Sequence, residues 1–278
     1  MLLTFTNELG CVTMSGAGGG EIGILSISGL CAPEPERQLI SSYDFDGVHE
    51  CATRLPSRII GIKGDIFGNA TTRARLSRVL SEPCRLDIAG MDFKRMINIR
   101  SAELAFSERL GAYTSFSLAL TCDDPYFYDA ADIEKGLFVR EKLLSASTVL
   151  PAVFSTRLSS VGINITGDRP AEPVITILGG APTEADEGKI IIENLTSGKK
   201  FTLVYTPAEG ELITVDVRSR TVISSVNGNI LTHISDDSFL ADLVLAKGAN
   251  TLKTTAVGAT GYIYAYVSYK NRYVEAIV

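Results

Sequence analysis

Lys189-Ile190-Ile191-Ile192-Glu193 and Lys200-Phe201-Thr202-Leu203-Val204-Tyr205 flank the short polar stretch Thr196-Ser197-Gly198-Lys199. Each flank is too short for a stable helix and rich in β-branched or aromatic residues, which pack well on a pleated surface. Ser and Gly between them are turn residues, so the segment reads as an antiparallel hairpin. The same reading repeats outward. Val174-Ile175-Thr176-Ile177-Leu178 ends at Gly179-Gly180. Glu211–Val217 and Thr221–Val226 lead to Asn227-Gly228, the strongest short-range hairpin signal. Thr251–Ala256 and Gly261–Tyr269 follow. Strands recurring about every ten residues, punctuated by Gly and Asn, predict an antiparallel sandwich. No fixed period links them, which disfavours a solenoid or propeller.

The first half is also strand-rich. Leu3-Thr4-Phe5 and Cys11-Val12-Thr13-Met14 flank an Asn7-Glu8-Leu9-Gly10 turn. Ile22, Ile24 and Ile27 mark another strand, and Arg58–Ile66 alternates after Ile60, with glycines suited to a bulge or close backbone approach. Arg85–Met91, Phe93–Ala105 and Ser115–Cys122 complete the set. One helix interrupts it, over 70–81. Leu76, Val79 and Leu80 share a face there, Asn69 is a candidate N-cap, and Pro83 stops the helix. A weaker helix is expected near 132–144. The boundary falls after Tyr128: residues 1–129 form a first domain, 130–150 a charged linker and 151–278 a second domain. The fold class is mainly β, in two domains: a β-sandwich-like N-terminal domain with one helix, and a C-terminal antiparallel β-sandwich.

The 278 residues are 45% hydrophobic and 21% charged, which excludes a disordered chain. Mean hydropathy is +0.19, yet no apolar run approaches the roughly eighteen residues of a membrane span, so no membrane insertion is expected. A net charge of −6 argues against nucleic-acid specificity, because phosphates demand a basic surface. The N-terminus has neither a basic nor an apolar leader segment and reads as mature structure. Residues 1–130 carry ten Arg and two Lys, whereas 131–278 carry six and eight. Arg favours interfaces through its planar fork, so the first half is the assembling half. Five scattered cysteines without a CxxC pair suggest free, mostly buried thiols and no disulfide.

Catalytic patterns are scarce. The two histidines, His49 and His233, fall in different domains, so neither a catalytic triad nor a His-based zinc site is expected. Gly16-Ala17-Gly18-Gly19-Gly20-Glu21 lacks the last glycine of a phosphate cradle and precedes a strand, so it reads as a hairpin loop. The acidic clusters Asp44/Asp46, Asp123/Asp124, Glu184/Asp186/Glu187, Glu209/Glu211 and Asp236/Asp237 sit at turn signals. No enzyme, cofactor or metal is expected. Tyr262, Tyr264 and Tyr266 share one strand face; it is expected to be buried or covered by a subunit, the alternative being a platform for sugar rings.

Phe5-Thr6-Asn7-Glu8-Leu9-Gly10 and Ile27-Ser28-Gly29-Leu30 resemble the opening of siphophage distal tail proteins. Arg58–Gly64, the helix and a long hairpin follow in that family's order. Thr121-Cys122-Asp123-Asp124-Pro125-Tyr126-Phe127-Tyr128 is similar to the close of its first domain. Pro173–Ile177, Asp216 with Arg218 and Arg220, and Phe239–Leu252 with its Gly248-Ala249-Asn250 turn are similar to its second. The glycine-rich 16–20 and the charged 129–150 depart from the family pattern.

The resemblance implies a structural virion protein of a tailed phage or prophage, assembled in the host cytoplasm. Its first domain would form a hexameric ring, and its second would be a galectin-like sandwich. The ring would join the tail tube protein to the tail-tip or baseplate hub proteins, and in some members of the family it also holds a receptor-binding protein. Arg73, Arg75 and Arg78 on the helix are the candidate interface residues. The alternative function is a carbohydrate-binding module that contacts the host surface.

Overall fold

Strand follows strand through the computed structural model, which describes residues 1–16, 20–41, 43–44, 46–67, 70–107, 113–142, 155–180, 188–257 and 263–276. The chain divides into two units: Met1–Ala130 with Arg272–Val278, and Ala131–Asn271.

The first unit opens on β1 (Leu2–Asn7) and β2 (Gly10–Ser15), the expected hairpin, pairing from Leu2↔Ser15 to Asn7↔Gly10. β3 (Ile22–Ser28) and a separate hairpin, β4 (Glu36–Ile40) with β5 (His49–Arg54), follow. β6 (Arg58–Ile66) buries alternate residues, Arg58, Ile60, Ile62, Gly64 and Ile66. A Cβ at Gly64 would lie 2.2 Å from the Gly23 carbonyl oxygen, so this close approach requires glycine. The expected helix is α1 (Ala70–Leu80), the one α-helix among the described residues, with Leu76, Val79 and Leu80 buried. Its candidate N-cap, Asn69, lies outside the described residues. Its C-terminal end is held by Asn7, whose Nδ2 donates to the Val79 carbonyl at 2.7 Å.

β7 (Cys84–Ala89), β8 (Lys94–Ile99), β9 (Ser101–Phe106), β10 (Thr114–Cys122) and β11 (Phe127–Asp129) complete this run. The stretch expected as one strand over 93–105 is broken at Arg100, whose N–H donates to the Thr121 carbonyl at 2.9 Å.

The second unit contains β12 (Ile133–Lys142), β13 (Ser155–Leu158), β14 (Ser160–Ile165) and β15 (Val174–Leu178). β16 (Lys189–Asn194), β17 (Lys199–Val204), β18 (Leu212–Asp216) and β19 (Thr221–Ser224) come next. β20 (Gly228–Asn229), β21 (Gly248–Val257) and β22 (Tyr264–Tyr269) close it. A seven-stranded sheet, β13-β12-β22-β15-β18-β19-β20, and a four-stranded sheet, β14-β21-β16-β17, share one core. Ile175, Ile177, Val215 and Val267 of the first meet Ile190, Ile192, Leu203 and Leu252 of the second, which is the sandwich the alternation predicts. Burying each such side chain fully contributes about 1.5–3 kcal/mol.

The turns follow local chemistry. Asn194 Oδ1 accepts from the N–H groups of Thr196 and Ser197, and Gly198 has φ +69°. Asp216 accepts from the Arg218 and Ser219 N–H groups, and Arg220 closes that turn at φ 54°.

Two expectations are corrected. The expected helix near 132–144 is a strand over its described part: β12 lies within the proposed 130–150 linker and pairs with β22 from Ile133↔Tyr269, while 143 and 144 lie outside the described residues. A register shift between Gly136 and Phe138 disrupts the alternation that marks a strand. The second domain also does not keep its C-terminus. After Asn271 the chain returns to the first unit as β23 (Arg272–Tyr273), which pairs with β11. The first unit's sheet is therefore ten-stranded, β23-β11-β8-β7-β1-β2-β3-β6-β10-β9. β8 and β9 are nearly continuous yet lie near opposite ends of this order. Ile97 and Ile99 share a core with Leu118 and Leu120, so the sheet curls upon itself.

Candidate functional site

Among the described residues of the first unit, one cation is buried. Arg58 lies on the inward side of β6, in register with Ile60 and Ile62, and is 2% exposed. Its Nε donates to the Pro125 carbonyl at 2.7 Å. Nη1 donates to Gly29 at 2.6 Å and Cys31 at 2.7 Å, and Nη2 to Val274 at 2.6 Å. The guanidinium also sits 4.5 Å from the centre of the Phe127 ring. Burial lowers the Arg58 pKa, but a guanidinium stays protonated in proteins. One side chain thus joins the loop after β3, the Asp-Asp-Pro-Tyr-Phe-Tyr segment and the returning tail.

Neighbouring contacts strengthen the seat. Asp124 accepts from the Tyr126 N–H at 3.0 Å and from the Tyr128 hydroxyl. Arg95 stacks on Tyr273 at 3.6 Å, and Arg272 on Tyr126 at 4.4 Å. The N–H of the buried Ala276 donates to the Leu30 carbonyl at 3.0 Å. The sequence reading placed Arg58 at a strand start and missed this role, although the period-two alternation puts it on the buried face.

The three candidate interface arginines are exposed on α1, each engaged with its own unit. Arg73 lies 4.1 Å over Phe106, Arg75 pairs with Glu21 at 2.9 Å, and Arg78 donates to the Leu9 carbonyl at 3.2 Å. Exposed pairs of this kind contribute about 0–1 kcal/mol, so they orient the arginines more than they stabilise the fold. On the outer face of β3, β6, β10 and β9, small side chains leave a trough of ≈390 Å³. Ser26, Ser28, Gly61 and Ser117 line it, with Lys63 and Glu103 at its sides.

Expected features of the second unit are modified. Tyr262 lies outside the described residues. Tyr264 and Tyr266 are not buried: they are 39% and 38% exposed on the outer face of the seven-stranded sheet. The reason is parity, because Ala265, Val267 and Tyr269 take the core positions of β22. Leu178 is paired with Tyr264 and Leu212, and Thr176 with Tyr266 and Thr214, giving an aromatic and aliphatic outer surface. Asn250 is 2% exposed. It holds its own turn by donating to the Ala246 and Gly248 carbonyls at 2.7 and 3.1 Å.

Chemistry-bearing groups stay dispersed. His49 lies in the first unit and His233 in the second, against Tyr205. Glu184, Asp186 and Glu187 lie outside the described residues, as do Ala17, Gly18 and Gly19 of the glycine run. Among the described residues no three His, Cys, Asp or Glu side chains gather as metal ligands. Glu211, placed at a turn signal in the sequence, is buried. It accepts from the Tyr205 hydroxyl at 2.5 Å, the Ala208 N–H at 2.7 Å and the Ser224 hydroxyl. Burial works to raise its pKa, but those bonds outweigh it and hold the carboxyl below its ordinary value. The five thiols are free, but only Cys84 and Cys122 are buried; Cys11, Cys31 and Cys51 are exposed, which corrects the expectation of mostly buried thiols.

No family model and no curated protein matches the chain. Solved structures do. SPP1 Dit, described as a paradigm of the hub adsorption apparatus in phages infecting Gram-positive bacteria, matches with TM-score 0.64 at 14% identity, over 97% of this chain and 98% of that one. Chains of the phage p2 baseplate in its activated conformation match with Ca and with Sr. Their TM-scores are 0.53 and 0.52 at 12% identity, over 97% of both chains. The fold is that of these phage proteins.

Proposed function

We propose that the chain is a structural component of a phage tail end. Its first unit closes into a hexameric ring between the tail tube and the tail-tip or baseplate hub, and its second unit is presented to further partners, including a receptor-binding protein. The protein acts in the virion, by assembly and without catalysis. One observation carries this reading: a near-complete match in fold to proteins of phage hubs and baseplates. The sheet edges offer a physical route, because an edge strand such as β9 presents backbone groups that association can cover. Pull-down of tail tube and hub proteins by the tagged chain from phage-producing cells tests it. Recovery of both supports the reading, and recovery of neither refutes it.

A second reading rests on Tyr264 and Tyr266. Two exposed tyrosines beside Thr176 and Thr214 suit stacking against sugar rings, so the second unit would bind host-surface glycan. A glycan array separates the readings: binding lost on Tyr266→Ala favours carbohydrate recognition.

A further inference from the structure

Among the described residues, hairpin β4–β5 pairs with no other strand of its chain. It forms a two-stranded sheet by itself, and every residue of both strands is exposed. A lone hairpin is marginally stable in water, and this one also exposes apolar surface. Leu39 is 52% exposed, Ile40 49% and Val48 60%, and Tyr43 at the tip is fully exposed. The Tyr43 side chain is therefore not covered by its own α1. Between Ser41 and Val48 the sequence contains Asp44 and Asp46 and no basic residue. Helix α1 is the opposite case, with Arg73, Arg75 and Arg78 and no acidic residue. Their contacts with Phe106, Glu21 and Leu9 already hold these side chains on the surface, so less rotamer freedom remains to be lost on binding.

From these observations we infer that α1 of one copy receives the acidic, tyrosine-bearing hairpin tip of a second copy of this chain. Asp44 and Asp46 face the arginines, and the Tyr43 ring offers its face to a guanidinium. The two patches are different parts of one chain, so the contact is heterologous and propagates around a ring if the rotation closes. The inference rests on the ring reading and supplies one of its contacts.

Charge reversal tests it on the full chain, with mass followed by light scattering over a concentration series. D44K/D46K and R73E/R78E should each raise the concentration for half-assembly roughly tenfold or more, with melting temperatures near wild type. The quadruple variant, with the charges exchanged, should recover assembly. Raising the ionic strength should weaken the wild-type assembly in the same direction and needs no variant to fold. A wild-type assembly that survives both reversals and high salt overturns this contact while leaving the ring reading intact. A wild-type chain that stays monomeric overturns both.

Discussion

Replacing Arg58 with Met removes the charge while keeping an unbranched side chain of similar length. Four carbonyl oxygens, those of Gly29, Cys31, Pro125 and Val274, then lose their donor. Each orphaned acceptor costs about 1–3 kcal/mol; these bonds are partly buried, so the lower end applies and the sum is about 4 kcal/mol. The lost stacking on Phe127 adds roughly a further 0.5–1 kcal/mol. For a domain of this size such a loss lowers Tm by roughly 12–20 °C. Differential scanning calorimetry of the full chain is the assay. Arg58→Lys, with a charge but no fork, should fall between wild type and Met. A Met variant melting within a few degrees of wild type would refute the argument that Arg58 ties the tail and the two loops together.

Three other outcomes follow from burial and hydrogen bonding. In native protein at pH 8, an aromatic disulfide reagent should modify Cys11, Cys31 and Cys51 quickly. Cys84 and Cys122 should lag until unfolding, since burial pushes their thiols up to about 11 and about 12. Glu211 has a depressed folded pKa, so its contribution to stability is present above its unfolded pKa of about 4.3 and is lost as pH falls through the folded value. Denaturant titrations should show a Glu211→Gln deficit at pH 7 that shrinks under acid; a deficit constant with pH contradicts this. Tyr269→Ala, in the core, should cost about 3–5 kcal/mol, whereas Tyr264→Ala, at the outer face, should cost about 1 kcal/mol or less by thermal melting.

Strand positions were legible wherever burial is one-sided. Ile60 and Ile62 are buried between less buried neighbours, and Leu76, Val79 and Leu80 repeat at helical spacing, so each announces its element. Turns were legible where Asn, Asp or Gly acts locally, as at Asn194 and Asp216. β12 was obscured by its bulge. The returning tail was obscured because Arg272–Ala276 carries no local period: its partners are Leu30, Arg58 and Phe127, distant in sequence. The arginines of α1 could be placed on a helix, but Phe106, Glu21 and Leu9 reach them only through the tertiary fold. The exposure of β4–β5 had no sequence signature, because Leu39 and Ile40 resemble core residues.

Electron microscopy of the purified full-length chain, at concentrations spanning the micromolar range, tests the central claim most directly. The account predicts closed rings with six-fold symmetry. A monodisperse monomer across the whole range, or open filaments in place of rings, would contradict it.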